Sequence, residues 1–148
     1  MSQPPLPPTP PIPPGAPRIP EQPKSEWQKF IAGFGYAFSG LGYALRTQRN
    51  IRVHVVIGTL AIIVGIVLRI STVEFAMIFI AITGVFIAEM FNTVMELCID
   101  LSTPEYNPLA KVAKDVAAGA VLLNAILAVI IGLFVFGPHI WAFISSHF

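Results

Sequence analysis

Charged residues are scarce in this sequence, since Lys, Arg, Asp and Glu together make up only 11% of its 148 residues and leave a net charge of +1. Without a broad basic surface, a nucleic-acid partner is not expected. The single cysteine, Cys98, excludes a disulfide framework within one chain. Two glycine-rich loops that commonly cradle nucleotide phosphates are also missing: G-x-x-x-x-G-K-S/T, and a G-x-G-x-x-G that follows a strand.

Hydrophobic residues, by contrast, make up 55% of the chain, and the mean hydropathy of +0.73 is too high for an ordinary water-soluble domain. Three stretches nearly free of charge approach or exceed the roughly 20 residues that cross a bilayer core. We therefore predict an all-α membrane protein with three transmembrane helices at about residues 51–70, 73–100 and 111–137. Pro138 is expected to end the third helix.

Two further segments are predicted before the first span. Residues 1–24 hold eleven of the fourteen prolines, which predicts a disordered Pro-rich tail, either a solvated spacer or a ligand for another domain. Residues 25–148 form the membrane domain, which opens with an interfacial amphipathic helix at 25–49. Aromatic side chains recur there every three or four residues and could lie among lipid headgroups, although a helix packed on the bundle is the other interpretation.

Basic residues are distributed unevenly around the three spans. Arg46, Arg49 and Arg52 precede the first span, and Lys111 and Lys114 lie between the second and the third, whereas no Lys or Arg follows the last. The positive-inside rule then places the amino terminus and the second connecting segment in the cytoplasm, and the carboxyl terminus outside.

The second span ends in a row of polar residues. Glu89, Asn92, Glu96 and Asp100 lie within about 80° of one another on one face of a helix. A carboxylate at membrane depth costs about 2.5 to 3.5 kcal/mol, so its retention needs a partner, a cation or a chemical task.

Lys111, Lys114 and Asp115 open the third span, so cations are expected beside the acidic residues. Carboxylates for Mg²⁺, lysines for phosphate oxygens and a spare carboxylate for a hydroxyl proton are what phosphoryl transfer requires. Three other interpretations stay open from the residues alone: an ion-pair network that ties helices together, an ion or proton path, and a non-catalytic membrane oligomer or adaptor.

Two segments, AEMFNTVMELCID and TPEYNPLAKVAKDVAAGAVLL, resemble the prokaryotic diacylglycerol kinase and undecaprenol kinase family of small three-helix membrane kinases. The resemblance covers about residues 27–137. It implies a lipid kinase that uses ATP and Mg²⁺ and works as a homotrimer in the bacterial inner or plasma membrane. The Thr-Pro-Glu-Tyr loop is similar to the undecaprenol kinase branch, so undecaprenol is expected as the lipid alcohol, with diacylglycerol as the alternative.

The resemblance also implies roles for individual residues. Glu89 matches the general base that accepts the proton of the lipid hydroxyl, and Glu96 matches a Mg²⁺-binding carboxylate. Gln48 stands where the family often has another metal-binding glutamate. Because an amide binds Mg²⁺ more weakly, either Asp100 compensates or catalysis is slow. The residues expected to bind the nucleotide are Asn92, Asp100, Lys114, Asp115 and Arg49.

Overall fold

The computed structural model describes residues 25–103 and 105–145, and within these ranges every regular element is an α-helix. The helices are α1 (Glu26–Thr47), α2 (Arg49–Leu68), α3 (Thr72–Ser102) and α4 (Pro108–Ser145). The last three are long and apolar enough to cross a membrane, which confirms the predicted fold class and the three spans. The predicted Pro-rich tail lies outside the described residues.

The first helix, α1, carries the predicted aromatic row. The ring of Phe30 stacks on Trp27 with centroids 5.5 Å apart, and it meets the ring of Phe34 edge-on at 5.3 Å. All three rings are exposed, as a stripe that faces lipid headgroups requires. The chain divides into two compact units, one ending at Tyr43 and the other beginning at Ala44.

The buried residues of α2 are Ile51, Gly58 and Gly65, which follow one another at intervals of seven. This spacing keeps one face of the helix, here called the glycine face, turned to the same neighbour. The glycines let α3 come close, because a Cβ at Gly58 would lie 3.3 Å from Ile82 Cγ2 and one at Gly65 would lie 3.0 Å from the ring of Phe75. Helices α2 and α3 therefore pack at short range along the glycine face.

The turn between α2 and α3 is short and capped on both sides. Arg69 has a φ of 53°, the left-handed conformation that closes a helix, and the Ile70 N–H donates back to the Gly65 carbonyl at 3.1 Å. A capping box then starts α3: Ser71 Oγ accepts the Glu74 N–H at 3.3 Å, and the Glu74 carboxylate accepts the Ser71 N–H at 2.7 Å. These bonds set the register of α3 against α2.

The last helix, α4, begins after Asn107, whose side-chain oxygen accepts the Leu109 N–H at 2.8 Å. Pro108 occupies the first helical position, where its missing N–H removes no helical bond. Helix α4 packs mainly against α3 and much less against α2. Helix α3 therefore packs against both of the other spanning helices.

The prediction that Pro138 ends the third span is wrong, because Pro138 lies inside α4, which continues to Ser145. A proline removes one backbone N–H, and helices in membranes keep such residues when neighbouring contacts hold the flanking turns. Here His139 Nε2 lies 3.0 Å from Glu74 Oε1 at the start of α3, so the turn around the proline is tied to the bundle.

The buried face of α3 changes from apolar to polar along its length. Its buried residues, three or four positions apart, are Ile78, Ala81, Val85, Glu89 and Thr93. The apolar members pack against side chains of α2 and α4. The same periodicity that buries this apolar row therefore directs Glu89 into the bundle and away from lipid.

Candidate active site

Glu89 supplies a buried carboxylate, and its side chain is only 3% exposed. Its Oε1 lies 3.4 Å from His54 Nε2 on α2, yet the two groups are not directed as in a hydrogen bond, and within residues 25–103 and 105–145 this oxygen accepts none. Thr93 Oγ1 donates to the Glu89 backbone carbonyl at 2.9 Å and leaves the carboxylate untouched. Because a buried carboxylate oxygen without a donor is costly, this atom is ready for a proton, a donor or a cation.

Asn92 and Glu96 form the next part of the site, one and two turns further along α3. Asn92 Nδ2 donates to Glu96 Oε1 at 2.8 Å, which orients the amide and holds the carboxylate. Asn92 Oδ1 is buried and, in the part of the chain that the structure describes, accepts no hydrogen bond. Two buried oxygens without donors, one from Glu89 and one from Asn92, therefore lie about one helical turn apart.

Oxygen atoms of this kind suit Mg²⁺, which binds through one or two carboxylates and completes its shell with water and phosphate oxygens. The described residues contain no group of three His, Cys, Asp or Glu side chains that would form a closed metal site by themselves. Glu96 together with Asn92 Oδ1 fits the open, partial coordination that a metal bound to a nucleotide needs.

Two ion pairs lie at the neighbouring ends of α3 and α4. Lys114 Nζ on α4 donates to Asp100 Oδ1 on α3, and Lys111 pairs with Asp115 on α4 at 2.7 Å. Among the ion pairs of the described residues, neither lysine reaches Glu89. An ion-pair network of these lysines therefore does not account for the buried carboxylate.

Gln48 and Arg49 stand at the start of α2, where Gln48 is the N-cap residue and its side chain makes no capping hydrogen bond. Within the described ranges, neither side chain forms a hydrogen bond or an ion pair with the polar residues of α3. The structure thus joins the polar row of α3 to Lys114, but it does not bring Gln48 or Arg49 to that row.

His54 lies beside this row, although the sequence analysis assigned it no role. It stands in an apolar span and carries no formal charge, so a count of charged residues passes over it. Its spacing from Ile51 and Gly58, three and four residues, puts it beside the glycine face of α2. An ionisable side chain on the interior face of a span is the signal that could have found it.

An apolar cavity of about 270 Å³ lies between α2, α3 and α4. At the end of the cavity closer to Glu89, the lining residues are His54 on α2 and Phe86 on α3. From there the cavity extends along the bundle to Ile78 and Phe136. Of all its lining residues, only His54 is polar. An apolar chain with a polar end group would fit this space with the polar end toward His54.

Three apolar helices of spanning length, a carboxylate buried among them and a lysine paired with a second carboxylate define an integral membrane protein with an interior polar site. The family model described as prokaryotic diacylglycerol kinase matches residues 35–136, which is more than half of the chain. The chain belongs to this family, which confirms the resemblance seen in the sequence. It is a membrane lipid kinase, and its family implies the use of ATP.

Individual relatives carry two different names. Undecaprenol kinase of Bacillus subtilis (strain 168) is 38% identical over 117 residues, which are 79% of this chain and 95% of that protein. Diacylglycerol kinase of Synechocystis sp. is 42% identical over 113 residues, 74% of this chain and 65% of that protein. Diacylglycerol kinase of Escherichia coli (strain K12) is 29% identical over 102 residues, 69% of this chain and 84% of that protein.

Proposed function

We propose that this protein transfers the γ-phosphate of ATP to the hydroxyl of a membrane lipid alcohol, and that this alcohol is undecaprenol. The observation that carries the proposal is the buried Glu89 carboxylate near an apolar cavity of about 270 Å³, which combines a base with room for the hydroxyl end of a lipid chain. The 38% identity to the Bacillus subtilis undecaprenol kinase, over 95% of that protein, supports the choice of alcohol. Diacylglycerol is the second candidate, supported by the 42% identity to the Synechocystis diacylglycerol kinase.

Glu89 acts as the general base in this proposal. Its Oε1 accepts no hydrogen bond from the described residues, so a lone pair is available for the hydroxyl proton of the lipid. As that proton moves to Glu89, the lipid oxygen attacks the γ-phosphorus, a new P–O bond forms, and the bond between phosphorus and the ADP oxygen breaks. ADP leaves with the electron pair of that bond, and Glu89 later returns its proton to water.

The nucleotide is proposed to lie where α3 and α4 carry Asp100 and Lys114. Lys114 is partly exposed and already paired, so its ammonium group can turn from Asp100 to phosphate oxygens without first crossing an apolar region. Asn92 and Asp115 are the further polar contacts in the proposal, and Arg49 offers a two-pronged partner for phosphate.

Glu96 is proposed to bind Mg²⁺, with Asn92 Oδ1 and Gln48 as neutral oxygen ligands. When bound, the ion neutralises negative charge on the phosphate oxygens. Asn92 holds Glu96 in place through the 2.8 Å hydrogen bond. Because Gln48 is neutral, this ligand set is less negative than one with a further glutamate, which favours a metal that arrives with the nucleotide.

We further propose a homotrimer in the bacterial inner or plasma membrane, with the amino terminus and the polar residues on the cytoplasmic side and the carboxyl terminus outside. The distribution of Lys and Arg supports this orientation. Gln48 and Arg49 are not joined to the polar row of their own chain within the described residues, and a neighbouring chain could bring an equivalent pair to it. Exposed apolar side chains on α2, α3 and α4 are available for such neighbours.

Phosphate transfer from radiolabelled ATP tests the proposal, with undecaprenol and diacylglycerol supplied separately in mixed micelles with Mg²⁺. Glu89→Gln keeps the size of the side chain and removes the base, so we expect transfer to fall about 100-fold or more. Glu74→Gln is the matched control, because Glu74 is an acid of the same helix near its opposite end, and most activity should persist. If folded wild-type protein transfers no phosphate, the result contradicts the kinase proposal and favours a non-catalytic oligomer. If it phosphorylates diacylglycerol alone, diacylglycerol replaces undecaprenol as the proposed substrate.

A further inference from the structure

We propose that His54 is a positioning residue of this kinase, which holds the Glu89 carboxylate toward the lipid hydroxyl at the end of the apolar cavity. The inference rests on the proposed function. It assigns a role to His54 because this residue lies 3.4 Å from the buried carboxylate and, among the described residues that line the cavity, is the polar one. In this role His54 acts through Glu89 and takes no part in the bonds that form and break.

The contact between His54 and Glu89 is the first support. His54 Nε2 is 3.4 Å from Glu89 Oε1, and the His54 side chain is 24% exposed. No described residue donates a hydrogen bond to that oxygen. Hydrogen bonds of catalytic groups are often long without substrate and shorten in the complex, so a proton on Nε2 can fix the carboxylate when the hydroxyl arrives.

The position of the ring at the cavity is the second support. Among lining residues from three helices, His54 alone is polar, and it is the α2 lining residue nearest to Glu89. A lipid chain lying against Ala81 and Ala125 would therefore reach the imidazole with its hydroxyl end before it reached the carboxylate. The ring separates the apolar chain from the base and offers a polar edge at which a hydroxyl can be recognised.

A space-filling role for His54 makes the opposite prediction. Leucine is more favourable than histidine in an apolar span, so a His54 that only filled space could be replaced by leucine without loss. Positioning instead requires a donor at the place of Nε2. A glutamine puts its amide nitrogen near that place, whereas the shorter asparagine puts its nitrogen near the place of Nδ1.

Steady-state kinetics of the full-length protein in mixed micelles tests the role, together with denaturant stability for each variant. His54→Leu and His54→Asn should lower kcat about 10- to 100-fold while the KM for ATP stays within about twofold, and His54→Gln should keep kcat within about fivefold of wild type. His54→Leu should be at least as stable as wild type. His139→Leu is the control, because His139 contacts Glu74 and lies outside the cavity lining. It should keep kcat and lose stability.

The possible results separate the two proposals. If the wild type transfers phosphate and His54→Leu has an unchanged kcat, the positioning role is refuted and the kinase proposal stays intact. The same conclusion follows if kcat across the variants follows their stability and not the position of the hydrogen-bond donor. If His54→Leu does not fold, equal kcat values for His54→Gln and His54→Asn would refute the role in its place. If folded wild-type protein phosphorylates neither lipid, the kinase proposal fails and the role of His54 fails with it.

Discussion

Gly65 is the position where a single added methyl group should disturb the packing of α2 on α3. A Cβ at Gly65 would lie 2.9 Å from Ile70 Cδ1 and 3.0 and 3.1 Å from two atoms of the Phe75 ring. Ile70 is part of the hydrophobic core and Phe75 packs against that core, so neither side chain can move away freely. Overpacking of this kind costs about 1–3 kcal/mol, while alanine in place of glycine inside a helix contributes up to about 1 kcal/mol of stability. We expect Gly65→Ala to lower the free energy of unfolding by about 1 kcal/mol.

Denaturant unfolding in mixed micelles, followed by far-UV circular dichroism, measures this change. Gly132→Ala is the control, because the nearest atom to its added Cβ would be Phe136 Cδ2 at an ordinary 4.0 Å. Helix propensity alone should leave this control as stable as wild type or more so. If Gly65→Ala proves as stable as Gly132→Ala, the close packing along the glycine face is wrong.

Two further variants test the turn and the nucleotide site. Arg69→Gly should raise the free energy of unfolding by about 1 kcal/mol, because Arg69 is the only described non-glycine residue with a left-handed φ. The control is Ile66→Gly inside α2, which should lower the free energy of unfolding by a similar amount in the same assay. Lys114→Met should change stability by less than about 1 kcal/mol, because its pair with Asp100 is 38% and 63% exposed, yet the KM for ATP should rise about tenfold or more in steady-state kinetics. Lys29→Met, which breaks an exposed ion pair on α1, should leave that KM unchanged, and an equal KM in both variants would remove Lys114 from the nucleotide site.

The spans could be predicted from the sequence because the bilayer constrains every residue of a span in the same way. The backbone must form its hydrogen bonds within the helix, and the side chains must be apolar enough to lie in lipid. That constraint is visible in any uninterrupted apolar run. The end of α4 could not be predicted in the same way, since the rule that proline ends a helix weighs only the backbone. The contact of His139 with Glu74 joins residues that are far apart in the chain, so no local sequence pattern predicts it.

The polar row of α3 shows a second limit of sequence reasoning. Periodicity correctly placed four polar residues on one helical face, but their environments differ. Glu89 is buried beside α2, Asn92 and Glu96 bond to each other, and Asp100 is mostly exposed and paired with Lys114. A helical wheel gives the direction of a side chain around the axis, whereas burial also depends on which neighbouring helix covers each turn.

The meeting of His54 with Glu89 depends on the turn at the opposite end of the two helices. The chain runs about 21 Å along α2 from His54 to Leu68 and about 26 Å back along α3 from Thr72 to Glu89, so the two side chains reach a similar depth only if a tight turn joins the helices. The left-handed conformation of Arg69 and the Ser71 capping box keep the turn short. The glycine face keeps α2 and α3 closely packed between the turn and His54. One residue inserted into α3 between the capping box and Glu89 would move the carboxylate about 1.5 Å along the helix and about 100° around it, off the buried face. The geometry of the proposed base is therefore a property of the whole hairpin, and this is why the contact between His54 and Glu89 could not be predicted from either stretch of sequence alone.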